Sequence, residues 1–298
     1  MVSRYRIALS LMIPLAVLLL PAGCKKTGQT PDQTALQRIR EAGSVKVAFA
    51  NEAPYAYLDE TTGKLTGEAP EIARRVFESM GIENIEGVLV EWGALIPSLK
   101  AGRVDMIAAG MYVTPERCEQ IAFSEPTYCV GEAFLVKKGN PANLHSFEDV
   151  KDNDKIKLGV VSGTVEVGYA QKIGVPDERI IRFPDNAAAA AGVKAGRVDA
   201  FAGTSLTVGE LLRRLKDKDL EQARPFTNPV IDGKPTKGCG AFGFRQEDDQ
   251  LLQNFNEHLA LFLGTNEHKE LVEIFGFGED ERAADVTTHG LCASGPGA

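Results

Sequence analysis

The chain repeats itself. Lys100-Ala101-Gly102-Arg103-Val104-Asp105 recurs as Lys194-Ala195-Gly196-Arg197-Val198-Asp199, 94 residues further on. Each copy follows a helix-like run and precedes an apolar one. In both, glycine ends the helix and valine opens a buried strand. Six identical residues in matching surroundings are hard to obtain by chance, and the offset is the size of a small domain. The repeat predicts two similarly built lobes.

The flanking patterns extend this reading. Strands are predicted at 45–49, 88–90 and 106–108, with helices at 34–41, 69–80 and 94–100. Residues 69, 72, 73, 76, 77 and 80 are apolar, which is helical spacing with one buried face. The alternation resumes with strands at 157–161, 180–183 and 198–202 and helices at 165–172 and 187–194. Further helices are predicted at 248–263 and 267–275. Strands alternating with helices indicate an α/β fold with a largely parallel sheet. Residues 278–298, rich in Gly, Ala and acids, read as a disordered tail, in which Cys292 has no structural role.

Composition excludes several functions. Lys and Arg number 33 against 41 Asp and Glu, a net charge of −8, so the clustered basic footprint of a nucleic-acid binder is absent. Five cysteines are too few for a disulfide framework. There is no Walker-type GxxxxGK[ST], HExxH or CxxC, and the four histidines are scattered, so neither metal nor cofactor is expected.

Residues 1–24 differ from the rest. Arg4 and Arg6 precede an apolar run from Ile7 to Leu20, followed by Pro21-Ala22-Gly23-Cys24. The run is too short to span a bilayer as a helix. It reads as a signal peptide over 1–23, with Cys24 as the lipidated first residue of the exported protein. The lipoprotein pattern prefers Leu where Pro21 stands, and an ordinary cleaved signal is the alternative. Removing the leader leaves 31 basic residues against 41 acidic ones. Residues 24–35 form a polar tether.

Three stretches carry a family resemblance: residues 45–76, residues 92–128 with Thr114-Pro115-Glu116-Arg117 and Phe123-Ser124-Glu125-Pro126, and residues 157–170. The chain resembles the solute-binding proteins of ABC importers, in the cluster for polar amino acids. Asn51-Glu52-Ala53-Pro54-Tyr55 with Ala108-Ala109-Gly110-Met111-Tyr112 is most similar to ectoine- and hydroxyectoine-binding members. The resemblance implies a periplasmic-binding-protein type II fold. Lobe 1 would comprise 36–130 and 240–277, and lobe 2 would comprise 131–239. Two crossings would form the hinge, near 129–133 and 235–240. It also implies an exported monomer, attached to the membrane by lipid only, that serves a permease and its ATPase.

The resemblance assigns Arg117 to a ligand carboxylate, which its planar fork matches with two parallel bonds. The Gly110 backbone and the turn before helix 165–172, with Thr164 and Val165, would assist, since free N–H groups there suit an anion. Amino-acid receptors of the family place an aspartate where this chain has Thr204. Glu52 is the replacement expected for the cation. Tyr55, Trp92 and Tyr112 follow the ends of three different strands, where α/β sheets place binding loops, and aromatic faces attract diffuse cations. The ligand expected is a zwitterion with a delocalised cation, ectoine or hydroxyectoine, although the charges alone also admit betaines. A polar amino-acid receptor is the first alternative. A cyclohexadienyl-dehydratase-like enzyme is less favoured, because the aromatic cage suits a cation better than an anionic ring acid. A sensory receptor is disfavoured too, because no membrane-spanning run follows Phe277. Cys129 and Cys239 lie near the two crossings. A bridge between them is one possibility, and three small buried side chains at 118, 129 and 239 are the preferred reading.

Overall fold

The computed structural model describes residues 33–231, 234–283 and 285–293, with backbone alone at 234–235. The expected signal peptide, Cys24 and most of the tether lie outside the described residues. Thr34 caps helix α1 (Ala35–Ala42) in a reciprocal arrangement: its hydroxyl accepts from the Gln37 amide, and the Gln37 side chain accepts from the Thr34 amide.

The first lobe then runs through β1 (Ser44–Phe49), the hairpin β2 (Tyr57–Leu58) and β3 (Leu65–Thr66), α2 (Glu68–Ser79), β4 (Asn84–Leu89), α3 (Leu95–Lys100), β5 (Met106–Tyr112), the one-turn α4 (Pro115–Cys118), β6 (Ala122–Phe123) and β7 (Tyr128–Val130). The chain crosses at Gly131 into β8 (Glu132–Lys137). The second lobe continues with α5 (Phe147–Asp152), β9 (Leu158–Val161), α6 (Val165–Ile173), β10 (Ile180–Phe183), α7 (Asn186–Ala195), β11 (Ala200–Thr204), α8 (Ser205–Leu215), β12 (Leu220–Gln222) and a hairpin of β13 (Val230–Ile231) and β14 (Lys234–Pro235). It returns through β15 (Gly238–Phe244) to α9 (Asp249–Phe262), α10 (Asn266–Glu273) and α11 (Thr288–Ala293).

The two sheets share one plan. The first has the order β4-β1-β5-β15-β6, with β7 also on β15, and the second has the order β10-β9-β11-β8-β12. In each, three parallel strands are followed by an antiparallel strand that has just arrived from the other lobe. The repeated hexapeptide does the same work in both. Gly102 and Gly196 take φ of 66° and 72°, left-handed values that end α3 and α7. Val104 and Val198 are buried. The Asp105 carboxylate accepts from the Lys46 amide at 2.9 Å and Asp199 from that of Lys157 at 2.8 Å. Each aspartate thus ties the start of the third strand to the start of the first.

Each sheet buries apolar residues on both faces. The final helices pack on the first sheet: Phe255 of α9 meets Phe242 at 4.9 Å and Phe244 at 5.3 Å between ring centres. The predicted strand at 198–202 begins at Ala200 instead, because Asp199 is held in the turn by Lys157. Strands β8 and β15 escape the sequence pattern. Their residues are almost all buried, so no polar face alternates with an apolar one.

Two expectations are corrected. Cys129 and Cys239 are bonded, and they stand directly opposite each other where β7 pairs with β15. Cys118 is bonded to Cys292. The three cysteines are therefore not free buried side chains, and Cys292 has a structural role. The described part of the tail is ordered against the first lobe. The Thr288 amide donates to the Glu125 carboxylate, Arg282 pairs with Tyr128 as an isolated bridge, and Leu291 packs in the core around Ile121.

Candidate functional site

The loops after β1 and β4, the end of β5 with α4, the turn after β9 and the end of β11 meet between the lobes; Tyr112 is the last residue of β5 rather than following it, because the strand runs on past residue 108. These segments line a space of about 290 Å³, counted together with its opening to solvent, bordered by Glu52, Tyr55, Trp92, Gly110, Tyr112, Arg117, Thr164, Val165, Glu166 and Thr204. Every candidate binding residue borders this one space, and Glu166 joins them. The convergence follows from topology, since these loops all leave the same ends of parallel strands.

Arg117 is carried by α4, whose first residue is Pro115 and whose Arg117 amide is capped by the Thr114 hydroxyl. The guanidinium is buried. Nη1 donates to the Tyr112 carbonyl at 2.8 Å and Nη2 to the Gly163 carbonyl at 3.1 Å. The Trp92 indole donates to the same Gly163 oxygen at 3.2 Å. Two first-lobe side chains therefore grip one second-lobe carbonyl. Gly163 has φ of +84°, and a Cβ built on it would lie 3.0 Å from the Cα of Gly93. Gly163→Ala should therefore impair both the turn and the closed contact, costing about 1–3 kcal/mol. Calorimetry should show solute affinity falling about tenfold or more. Unchanged affinity would mean that closure does not bring Gly93 onto this turn.

The opposite wall is a hydrogen-bonded chain across the cleft. The Thr207 hydroxyl donates to Glu52 Oε1 at 2.7 Å, and Thr204 donates to Thr207 at 3.0 Å. The Tyr55 hydroxyl lies 2.7 Å from the Thr204 oxygen and is left as its donor. Burial keeps Tyr55 protonated, pushing it well above the ordinary phenol range. Burial and the charge of Glu166 raise Glu52 to about 7, against the hydrogen bonds from Thr207 and Asn186. The rings of Tyr55 and Tyr112 pack on Tyr128, at 5.1 and 6.3 Å between centres.

Two acids were not among the sequence candidates. Glu166 stands in the first turn of α6, immediately after the turn singled out for an anion. Burial raises its carboxyl above the ordinary carboxylate range, against the Thr164 hydroxyl, its own amide and the charge of Arg117. Glu132 opens β8 and pairs in register with Thr204. Both are 4% exposed. Position in the predicted helix start was a usable signal for Glu166. For Glu132 the sequence carried none, because only strand pairing brings the crossing segment beside Thr204. Among the described residues no cluster of His, Cys, Asp and Glu is suited to a metal ion.

Two α/β lobes of one plan, joined by two crossings and meeting over a small space lined by charged and aromatic side chains, define a type II periplasmic-binding protein. Residues 45–279 match the family model of bacterial extracellular solute-binding proteins, family 3. The chain belongs to that family. It is 42% identical over 272 residues to a probable amino-acid ABC transporter periplasmic-binding protein of Sinorhizobium fredii, covering 90% of this chain and 89% of that one. Its structure resembles that of EhuB in complex with hydroxyectoine, with a TM-score of 0.80 and 34% identity over 87% of this chain and 98% of the other. It also resembles an ancestral amino acid-binding protein described as a precursor of cyclohexadienyl dehydratase. That likeness has a TM-score of 0.68 and 26% identity over 81% of this chain and 99% of the other.

Proposed function

We propose that the protein is the receptor of an ABC importer. It captures a small zwitterion of the ectoine or hydroxyectoine type outside the cytoplasmic membrane and delivers it, as a monomer, to a permease driven by an ATPase. The signal over 1–23 and lipid on Cys24 would hold it at the membrane. The observation that carries this reading is the pairing of Arg117 and Glu52 around one closed space with Tyr55, Trp92 and Tyr112. A carboxylate of the solute meets the Arg117 fork, with the Gly110 backbone and the Thr164–Val165 turn beside it. A delocalised cation lies among the rings near Glu52.

A polar amino acid is a second reading with an observation of its own. Thr204 cannot neutralise an α-ammonium, but Glu132 lies opposite it in the sheet and Glu166 borders the space. An acid is therefore present where the threonine had removed one. The dehydratase reading has less support, because a ring acid would bring negative charge beside the carboxyls of Glu52, Glu132 and Glu166. Calorimetry with ectoine, hydroxyectoine and a panel of polar amino acids should give the strongest binding to the cyclic zwitterions. Tight amino-acid binding without ectoine heat would replace the first reading by the second.

A further inference from the structure

No N–H or O–H of the described chain reaches either oxygen of Glu132 or Oε2 of Glu166. Their carboxyls lie against each other, Glu166 on the wall of the cleft and Glu132 on the strand opposite Thr204, within the field of Glu52. The other acids nearby are provided for. Glu52 takes the Thr207 hydroxyl, and Glu68, behind the tyrosines and away from the cleft lining, takes the Thr127 hydroxyl on Oε1 at 2.6 Å and leaves only Oε2 without a partner. Arg117, the guanidinium of the cleft, directs Nη1 and Nη2 to backbone carbonyls. Three buried carboxyl oxygens without donors are costly unless a proton is shared or a cation arrives.

We propose that Glu132 and Glu166 form a second cation subsite of the cleft, which accepts an N–H-bearing cationic group of the solute in exchange for the proton the two carboxyls share. The proposal rests on the reading of the cleft as the solute site, and it holds for an amidinium, a guanidinium or an ammonium alike. It excludes a quaternary ammonium, which has positive charge but no hydrogen to give Oε2 of Glu166. The betaines, admitted by charge alone, are thereby removed from the expected solutes.

The proton balance is simple. Burial and the neighbouring charge of Glu166 hold Glu132 well above the ordinary carboxylate range, so without solute the pair retains one proton on Glu132. When a solute N–H points at Glu166, its positive charge takes the proton's place. The proton passes to buffer, and both carboxylates become charged. The groups that set this exchange are Glu132 on β8, Glu166 on α6, Glu52 on the loop after β1, Arg117 on α4, and the phenols of Tyr55, Tyr112 and Tyr169. Because protons leave on binding, affinity rises with pH by at most about tenfold per pH unit for each proton released.

The test is calorimetry of the full domain at about pH 8 in two buffers of different ionisation enthalpy, with ectoine, arginine and glycine betaine as probes. At that pH Glu52, raised to about 7, has already lost most of its proton, so a release of about one proton per solute reports the pair. Glu132→Gln keeps the shape and leaves Glu166 a permanent donor. It should abolish the release and weaken the N–H cations about tenfold or more, with melting unchanged. Glu166→Gln should do the same by removing the acceptor. Glycine betaine should give no heat. Binding of ectoine or arginine without proton release, or with affinity untouched by both variants, overturns the subsite and leaves the cleft reading intact. Equal affinity for glycine betaine also overturns the subsite alone. Absence of binding by any zwitterion overturns the cleft reading, and the subsite with it.

Discussion

Replacing Arg117 with alanine should weaken solute binding by about 2–5 kcal/mol, or roughly 30-fold to several-thousand-fold. The size follows from burial. Arg117 is 8% exposed in the closed structure, so a solute carboxylate facing it is shielded from water and cannot be resolvated when the guanidinium is removed. The same substitution removes the bond to Gly163, which helps hold the lobes together. Lysine should recover the charge but not the fork, and so only part of the affinity. Calorimetry with the preferred solute measures the loss. Thermal melting without solute separates it from stability, since within the first lobe the side chain bonds only the Tyr112 carbonyl among the described residues. Affinity unchanged in Arg117→Ala would remove the residue from the site.

The second large effect concerns stability. Cys118–Cys292 closes 174 residues of chain and Cys129–Cys239 closes 110. Closing loops of this length in the unfolded chain is worth about 2–5 kcal/mol per bridge. Cys118→Ser/Cys292→Ser should therefore lower the melting midpoint by roughly ten degrees, given the response expected of a domain this large. The variant should also release the tail segment 288–293 from α4, the helix that carries Arg117. Thiol titration of the unreduced protein starting at residue 34 should find no free thiol, and four after reduction. Four thiols without reductant would refute both bridges. Bridges of this kind persist outside the cytoplasm, in keeping with export.

How legible the molecule was depended on distance along the chain. The helices at 69–80 and 248–263 announce themselves because their apolar faces repeat every 3.6 residues against a solvated side. The strand at 180–183 has its predicted limits. By contrast, β8 is buried except at Lys137 and β15 is buried throughout, and a strand without a solvated face gives no alternation to read. Bridge partners were equally hidden, since Cys118 and Cys292 meet only when the tail folds back across the first lobe.

The same division runs through the cleft. Local sequence determined that there are two lobes, because one hexapeptide ends a helix, turns, and sends an aspartate back to the first strand wherever it occurs. It also determined which loops meet, because parallel strands deliver their following loops to one edge. What the threonine at 204 means was decided only by tertiary structure. Read along the chain, Thr204 removes an acid from the cleft. In the folded molecule, antiparallel pairing sets Glu132 directly opposite Thr204, and the start of α6 brings Glu166 to the same wall. Charge in a closed cleft is a sum over residues that are remote in sequence, so a substitution at one position can be made good from another strand. That sum becomes visible only once the strands are paired.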